Sequence, residues 1–364
     1  VDYVVWLDRP APVDTTISLT SSNPSVFPVP ATVTIAAGYS NAGIVVTTPY
    51  VSTNYNIQVT AQYNAVTQVA NAVITPPNPT TTTISSSLNP SVYGQSVTFT
   101  SQTTSQVQGT LTGVVIFYDG PNSLGPPVNI SNGTASITVS NLDAYAHSID
   151  ATYNGDANYA ISTSSVLPQT VNPASTSTTI AASPNPSVFG QPVTMTASVT
   201  SSAGAVFTGS VQFFDGTTLL GTSSVNGGGV ATFATSGFAV GNHSLTAQYV
   251  ATTDFNASTS APFTQRIGPA TTKTSLRASP NPSRKGQPVT LTATVTPQYP
   301  ASVSGTVTFK DGSKTLGTVS ISSNQAILTT SSLAIGNHAL TATYGGNQQF
   351  KKSNSPMVRE VITK

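Results

Sequence analysis

The chain contains no cysteine, which removes disulfides and thiolate metal sites and leaves the redox compartment open. Only 6% of its 364 residues are charged, against about a quarter in ordinary globular proteins. Glutamate occurs once, at Glu360, tryptophan once, at Trp6, and histidine only at His147, His243 and His338. General acid–base and nucleophilic catalysis draw on carboxylates, imidazoles and thiols, so this supply argues against an enzyme, and no catalytic residue, metal ligand or cofactor is assigned. No run of about 18 apolar residues occurs, so no membrane span is expected. No helical periodicity of any length is present either. The chain opens on Val1 with neither methionine nor a secretory signal, and is expected to be a mature form or a fragment.

What the chain does have is 38% hydrophobic residues, enough to bury cores and to exclude disorder. Its surface must be mostly Ser, Thr, Asn and Gln, which repels neighbours weakly and permits close, neutral packing between molecules.

Its organising feature is a repeat. Asn89-Pro90-Ser91-Val92-Tyr93-Gly94-Gln95 returns as Asn185-Pro186-Ser187-Val188-Phe189-Gly190-Gln191, and again as Asn281-Pro282-Ser283-Arg284-Lys285-Gly286-Gln287. The interval is 96 residues each time. Phe117-Tyr118-Asp119-Gly120, Phe213-Phe214-Asp215-Gly216 and Phe309-Lys310-Asp311-Gly312 keep the same register, as do the three histidines after one late deletion. A period this long, carrying its own turns and alternating strands, marks a string of domains. The expected boundaries are 1–77, 78–172, 173–268 and 269–364, with Pro76-Pro77-Asn78-Pro79, Pro173 and Pro269 as stiff joints. About seven short strands per repeat, punctuated by Gly, Pro and Asn, predict an all-β fold of four immunoglobulin-like sandwiches in an elongated string.

These motifs resemble tandem bacterial Ig-like repeats. The resemblance rests on Asn-Pro-Ser-x-x-Gly-Gln, on Gly-x-Val-x-Phe-x-Asp-Gly and on the Gly-Asn-His-Ser-Leu-Thr-Ala-x-Tyr of 241–249, and it covers residues 80–364. The first unit, through Asn23-Pro24-Ser25-Val26 and 29–38, resembles a related module. The resemblance implies a secreted or cell-surface protein used as a stalk, adhesin arm or spacer. A ligand does not follow from it.

Charge is lopsided: from Ala270 onward ten Lys or Arg face two acids, whereas the preceding residues carry two cations against nine aspartates. This reads either as solvated drift between repeats or as a basic head for an acidic partner, such as a cell-surface polymer. Nucleic acid is not expected, since no aromatic platform accompanies the lysines. The histidines, at one repeat-equivalent address, read as turn or packing devices. Asp143, Asp150 and Asp156 cluster in sequence, yet too few carboxylates converge for calcium, and the third repeat keeps only Asp254 nearby. The sequons at Asn129, Asn132, Asn242 and Asn256 would be surface loops. Tyr50, Tyr55 and Tyr63 are too scattered to argue a glycan-binding face.

The reading is a non-enzymatic structural protein, extracellular or at the cell surface, with copies of itself as partners in a filament or stalk; the alternative is an adhesin or spacer arm binding a glycan or host ligand. Three placements are expected to matter. The first unit starts abruptly and is short by about twenty residues relative to the repeats. It should therefore lack an edge strand and present an open seam, with Met357, Val358 and Val361 of the 357–363 segment as candidate donors from another copy. On its first strand, Val5 and Leu7 point inward, so Val4 and Trp6 face outward as interface candidates. On strand C of the second domain Val114, Ile116 and Tyr118 form an outward apolar patch that the sister repeats lack.

Overall fold

The computed structural model describes residues 2–204 and 208–364. Every regular element in them is a β-strand, as the alternation of β-branched and polar residues requires. Contacts divide the chain into two compact units, one of Val1–Ser91 with Gln95–Val171 and one of Val92–Gly94 with Asn172–Lys364.

In the second unit, the third sandwich shows the pattern of a complete repeat. Strand A (Thr176–Ser183), B (Val193–Ser201) and E (Val230–Thr235) form one sheet in the order A-B-E. The other sheet runs A′-G-F-C-C′, from A′ (Ser187–Val188), G (Phe263–Gly268), F (Gly241–Tyr249), C (Ser210–Asp215) and C′ (Thr218–Ser224). A lies antiparallel to B, while A′ runs parallel to G, so a single segment closes both sheets. Alternate residues of B, C and F turn inward to make the core: Val193, Met195, Ala197 and Val199 meet Val211, Phe213, Leu245, Ala247 and Tyr249. The fourth sandwich repeats this order over Thr272–Thr363, and its core is built from the same positions. The prolines at the boundaries are not loose linkers. Each is followed by a residue that bridges to the sandwich it opens: Asn78 to Tyr159, Ala174 to Phe255 and Ala270 to Phe350.

In the first unit, the second sandwich follows the repeat, with strand C at Val114–Asp119 and F at Ala146–Tyr153. The first sandwich has six strands: β1 (Asp2–Trp6), β2 (Thr15–Ser21), β3 (Thr32–Ile35), β4 (Asn41–Val45), β5 (Tyr55–Tyr63) and β6 (Val66–Ile74). They form a two-stranded sheet, β1-β4, and a four-stranded sheet, β3-β2-β5-β6. Taken in chain order as B, C, C′, E, F and G, these strands reproduce both repeat sheets with A and A′ missing. Asn23-Pro24-Ser25-Val26, which in sequence resembles the repeats' A–B turn, therefore lies in the C–C′ connection, and Val26 and Phe27 are buried in their own core.

Candidate functional site

The three histidines clamp one connection in each repeat. His147 Nδ1 meets Asp119 Oδ2 at 2.7 Å and its Nε2 meets the Asp143 carbonyl at 2.9 Å. His243 spans Asp215 and the Ala239 carbonyl, and His338 spans Asp311 and the Ala334 carbonyl. The second carboxylate oxygen accepts the backbone N–H of Ser148, Ser244 or Ala339. Both ring nitrogens of each histidine face oxygen atoms. Burial pushes the His338 pKa down, but the Ala334 carbonyl, the Asp311 carboxylate and the more distant Glu360 outweigh it, and the net shift is upward. Each clamp ties the Asp-Gly turn after strand C to the start of strand F.

A buried tyrosine ends each F strand and donates its hydroxyl across the sandwich: Tyr153 to the Thr112 carbonyl, Tyr249 to Thr208 and Tyr344 to Ser304. Burial, followed by the charge of Asp156, pushes the Tyr153 phenol up to about 12. Asp156 itself is a loop brace. Burial works to raise its pKa, but the Thr112 hydroxyl and the N–H groups of Asn158, Thr112 and Tyr159 hold it below the ordinary value. Asp150 stands opposite Tyr118 in the C–F pairing, and burial raises its pKa.

A buried polar position recurs on strand G. Gln169 Nε2 donates to the Leu88 carbonyl and Ser91 Oγ. Gln265 Nε2 donates to the Pro184 carbonyl at 2.9 Å, Ser187 Oγ at 3.1 Å and the Arg266 carbonyl at 3.3 Å. In the fourth sandwich the same place holds Glu360, fully buried. Its Oε1 accepts from Ser283 Oγ at 3.0 Å and its Oε2 has no hydrogen-bond partner among the described residues.

The second unit contains a packed joint between its sandwiches. In the A–B turn of the third sandwich, Val188 and Phe189 lie against the core of the fourth. The Phe189 ring meets Phe350 edge-on at 5.4 Å and 87°, a preferred aromatic geometry. Gly190 has φ +77°, and a Cβ there would stand 3.2 Å from Tyr299 Cβ, so both conformation and proximity favour glycine. Tyr93, within the Val92–Gly94 stretch that clusters with this unit, meets Phe255 likewise, at 5.3 Å and 77°. The fourth sandwich keeps the turn, with Gly286 at φ +80°, but carries exposed Arg284 and Lys285 where the others carry Val and an aromatic.

In the first sandwich an apolar cavity of about 520 Å³ opens between β1 and β6. Its walls include Tyr3, Val5 and Leu7 on one side and Val59, Ala61 and Val66 on the other. Among the described residues β1 pairs only with β4, and β6 only with β5, so one backbone edge of each strand borders the cavity. On β6 the positions in line with half-buried Ala72 and Ile74 are Val66, Gln68 and Ala70, and all three are exposed. Val66 is 61% exposed although its strand position points to the core side.

The interface candidates fall as follows. Val5 and Leu7 pack on the core, while Val4 is 48% and Trp6 67% exposed. Val115 and Phe117 are buried, leaving Val114, Ile116 and Tyr118 half-buried on the other face, with Ile116 opposite Thr152 and Tyr118 opposite Asp150. The candidate donor is engaged at home: Val358–Thr363 pairs antiparallel with F of the fourth sandwich and parallel with Ser283–Arg284, and Ile362 is core; only Met357 stands exposed before it. Lending that strand to a second copy would open the fourth sandwich. The joint and the buried G-strand position were missed in sequence. The joint's one signal was an aromatic kept at 93 and 189 but lost at 285.

The model of the family described as "Bacterial Ig-like domain (group 3)" matches residues 80–172, 179–268 and 276–363. No curated protein matches the chain. Among solved structures it is similar to fibronectin(III)-like modules of CbhA from Clostridium thermocellum, at 18% identity over 51% of this chain and 92% of that one, TM-score 0.22. It is similar to Sidekick-1 immunoglobulin domains 1–5, at 11% identity over 100% and 76% of the two chains, TM-score 0.33. FdeC, an Escherichia coli adhesin, is similar at 14% identity over 78% and 97%, TM-score 0.29. These likenesses concern fold alone.

Proposed function

Since the chain belongs to the bacterial Ig-like domain (group 3) family, we propose that it is a non-enzymatic stalk subunit of an extracellular or cell-surface protein, held by contacts between successive domains. The observation that supports this reading is the Phe189 joint. An aromatic of one sandwich seated on the core of the next resists bending and rotation, because moving it exposes both rings. A tether with no such contact would leave its sandwiches free to reorient. The weakly charged surface suits close packing beside neighbouring molecules. A glycan-binding arm has less support: Tyr55 packs on the first core, Tyr63 borders the open cavity, and Tyr50 stands exposed apart from them.

The absence of cysteine makes the test clean. Cysteines introduced at exposed Leu219 and Ile327 would carry spin labels on the third and fourth sandwiches. One narrow distance distribution, broadened by Phe189→Ala, is the expected result. A broad distribution in the parent chain would remove the stalk reading. Antibody to the chain should also label intact source cells, and labelling only after lysis would contradict a surface location.

A further inference from the structure

We propose that the outer face of the A–B–E sheet in the fourth sandwich binds an acidic polysaccharide, a sugar polymer that carries carboxylates. Strand alternation builds that face. On B (Val289–Pro297) Val289, Leu291, Ala293 and Val295 are buried, so Thr290, Thr292, Thr294 and Thr296 point away from the core in one row. Strand A (Thr272–Ser279) lies antiparallel beside it and sets Lys273 against Thr296, Ser275 against Thr294 and Arg277 against Thr292. Strand E (Gln325–Thr330) borders the other side of the row, with Gln325 opposite Thr294 and Thr329 opposite Thr290. The result is a flat platform of hydroxyls, about 10 Å across its three strands, with two cations along one margin.

The cations are what the sister platforms lack. Position 273 corresponds to Thr81 and Ser177 in the second and third repeats, and position 277 to Ser85 and Ala181. Lys273 and Arg277 are exposed, and among the described residues only the three histidines form ion pairs. The two acids of this sandwich do not compete for them, since Asp311 holds His338 and Glu360 is buried. Ten Lys or Arg from Ala270 onward add a positive field that draws an anion in. Carboxylates pair with Lys273 and with the planar fork of Arg277, while the threonine row exchanges hydrogen bonds with sugar hydroxyls. A flat face without enclosing walls suits a polymer laid along the strands rather than a small anion. No aromatic side chain stands on these three strands, so neither bases nor neutral sugar rings are stacked there. A second copy of this chain is a poor partner, because its Asp119 and Asp215 are held by histidines and its Asp156 by its own loop.

The probe is polygalacturonate, titrated into the full chain in a calorimeter at low and high salt, with its methyl ester as the uncharged control. Saturable binding of the free acid alone, weaker at high salt, is expected. Lys273→Ser with Arg277→Ala installs the residues that the third sandwich already carries, so the fold should hold while binding weakens about tenfold or more. A charge-matched pair off the platform, Lys314→Thr with Lys364→Gln, should weaken it less than about threefold. Arg277→Gln alone should weaken it about threefold, an independent reading should the double variant not fold. The proposal fails if polygalacturonate does not bind, if the methyl ester binds equally, or if the off-platform pair costs as much as the platform pair. Tighter binding of duplex DNA or of polyphosphate at equal charge concentration would also overturn it, since the partner would then be a phosphate polymer.

Discussion

Glu360→Gln should stabilise the fourth sandwich. In the third, the two Nε2 hydrogens of Gln265 are shared among three acceptors, at 2.9, 3.1 and 3.3 Å. Glu360 occupies the matching buried place and can only accept when ionised; it keeps one bond, from Ser283, and leaves Oε2 without a hydrogen-bond partner among the described residues. Each restored neutral hydrogen bond contributes about 1 kcal/mol net. Removing a buried carboxylate relieves a further desolvation cost, offset in part by the attraction it gives to His338, which stands opposite it on strand F. Gln265 Oε1 is itself unpartnered, so the substitution does not cure every orphan. The expected gain is about 1–3 kcal/mol, which for a domain of this size raises its transition by roughly 5–20 °C. Scanning calorimetry of the full chain would read it, with Gln265→Glu lowering the third sandwich's transition by a similar amount as the reciprocal control. If Glu360→Gln is neutral or destabilising, the carboxylate has a partner that the packing does not reveal, and the argument from the sister positions is wrong.

Other expectations follow from the joint, a clamp and the surface. Phe189→Ala removes the ring that meets Phe350 and should weaken coupling between the third and fourth sandwiches by about 2 kcal/mol; their calorimetric transitions should separate, and one merged transition in the mutant would contradict the joint. The folded pKa of His338 is raised, so its stabilisation is complete below the unfolded value of about 6.5 and fades as pH rises through the folded value. The urea midpoint of the fourth sandwich should fall across that window and His338→Gln should flatten the fall; an equal slope in the mutant would discard the clamp as its cause. Trp6→Ala should change the melting temperature by no more than about 0.5 kcal/mol's worth, because the ring is exposed and leaves no core cavity, and a sharp drop would mean that β1 faces the other way.

Much of this fold could be read directly because its determinants are local. The alternation that buries Val115 and Phe117 is visible in five residues, and the Gly and Asp-Gly turns keep their spacing through three repeats. What escaped were pairings whose halves stand far apart. Phe189 looks like a turn residue until Phe350 is placed against it, and the two are separated by more than a repeat. Gln169, Gln265 and Glu360 look like surface residues because nothing in their neighbours announces the carbonyl above them. Asn23-Pro24-Ser25-Val26 misleads for the opposite reason: identical letters sit at a different corner of the sandwich, where Phe27 turns into its own core.

The Phe189 joint gives the third sandwich two unlike ends, an aromatic tip on its A–B turn at Phe189 and an aromatic seat near its last strands at Phe255. Duplicating or excising a whole period preserves the fit, because every new tip meets a seat of the same make. Arrays of this kind can therefore lengthen or shorten through unequal crossing-over without a compensating mutation, whereas a crossover inside the period would strand a tip. Arg284 and Lys285 break that interchangeability. A period bearing them seats on its predecessor normally but offers the next one two cations, so it can be shuffled to only one place in the order.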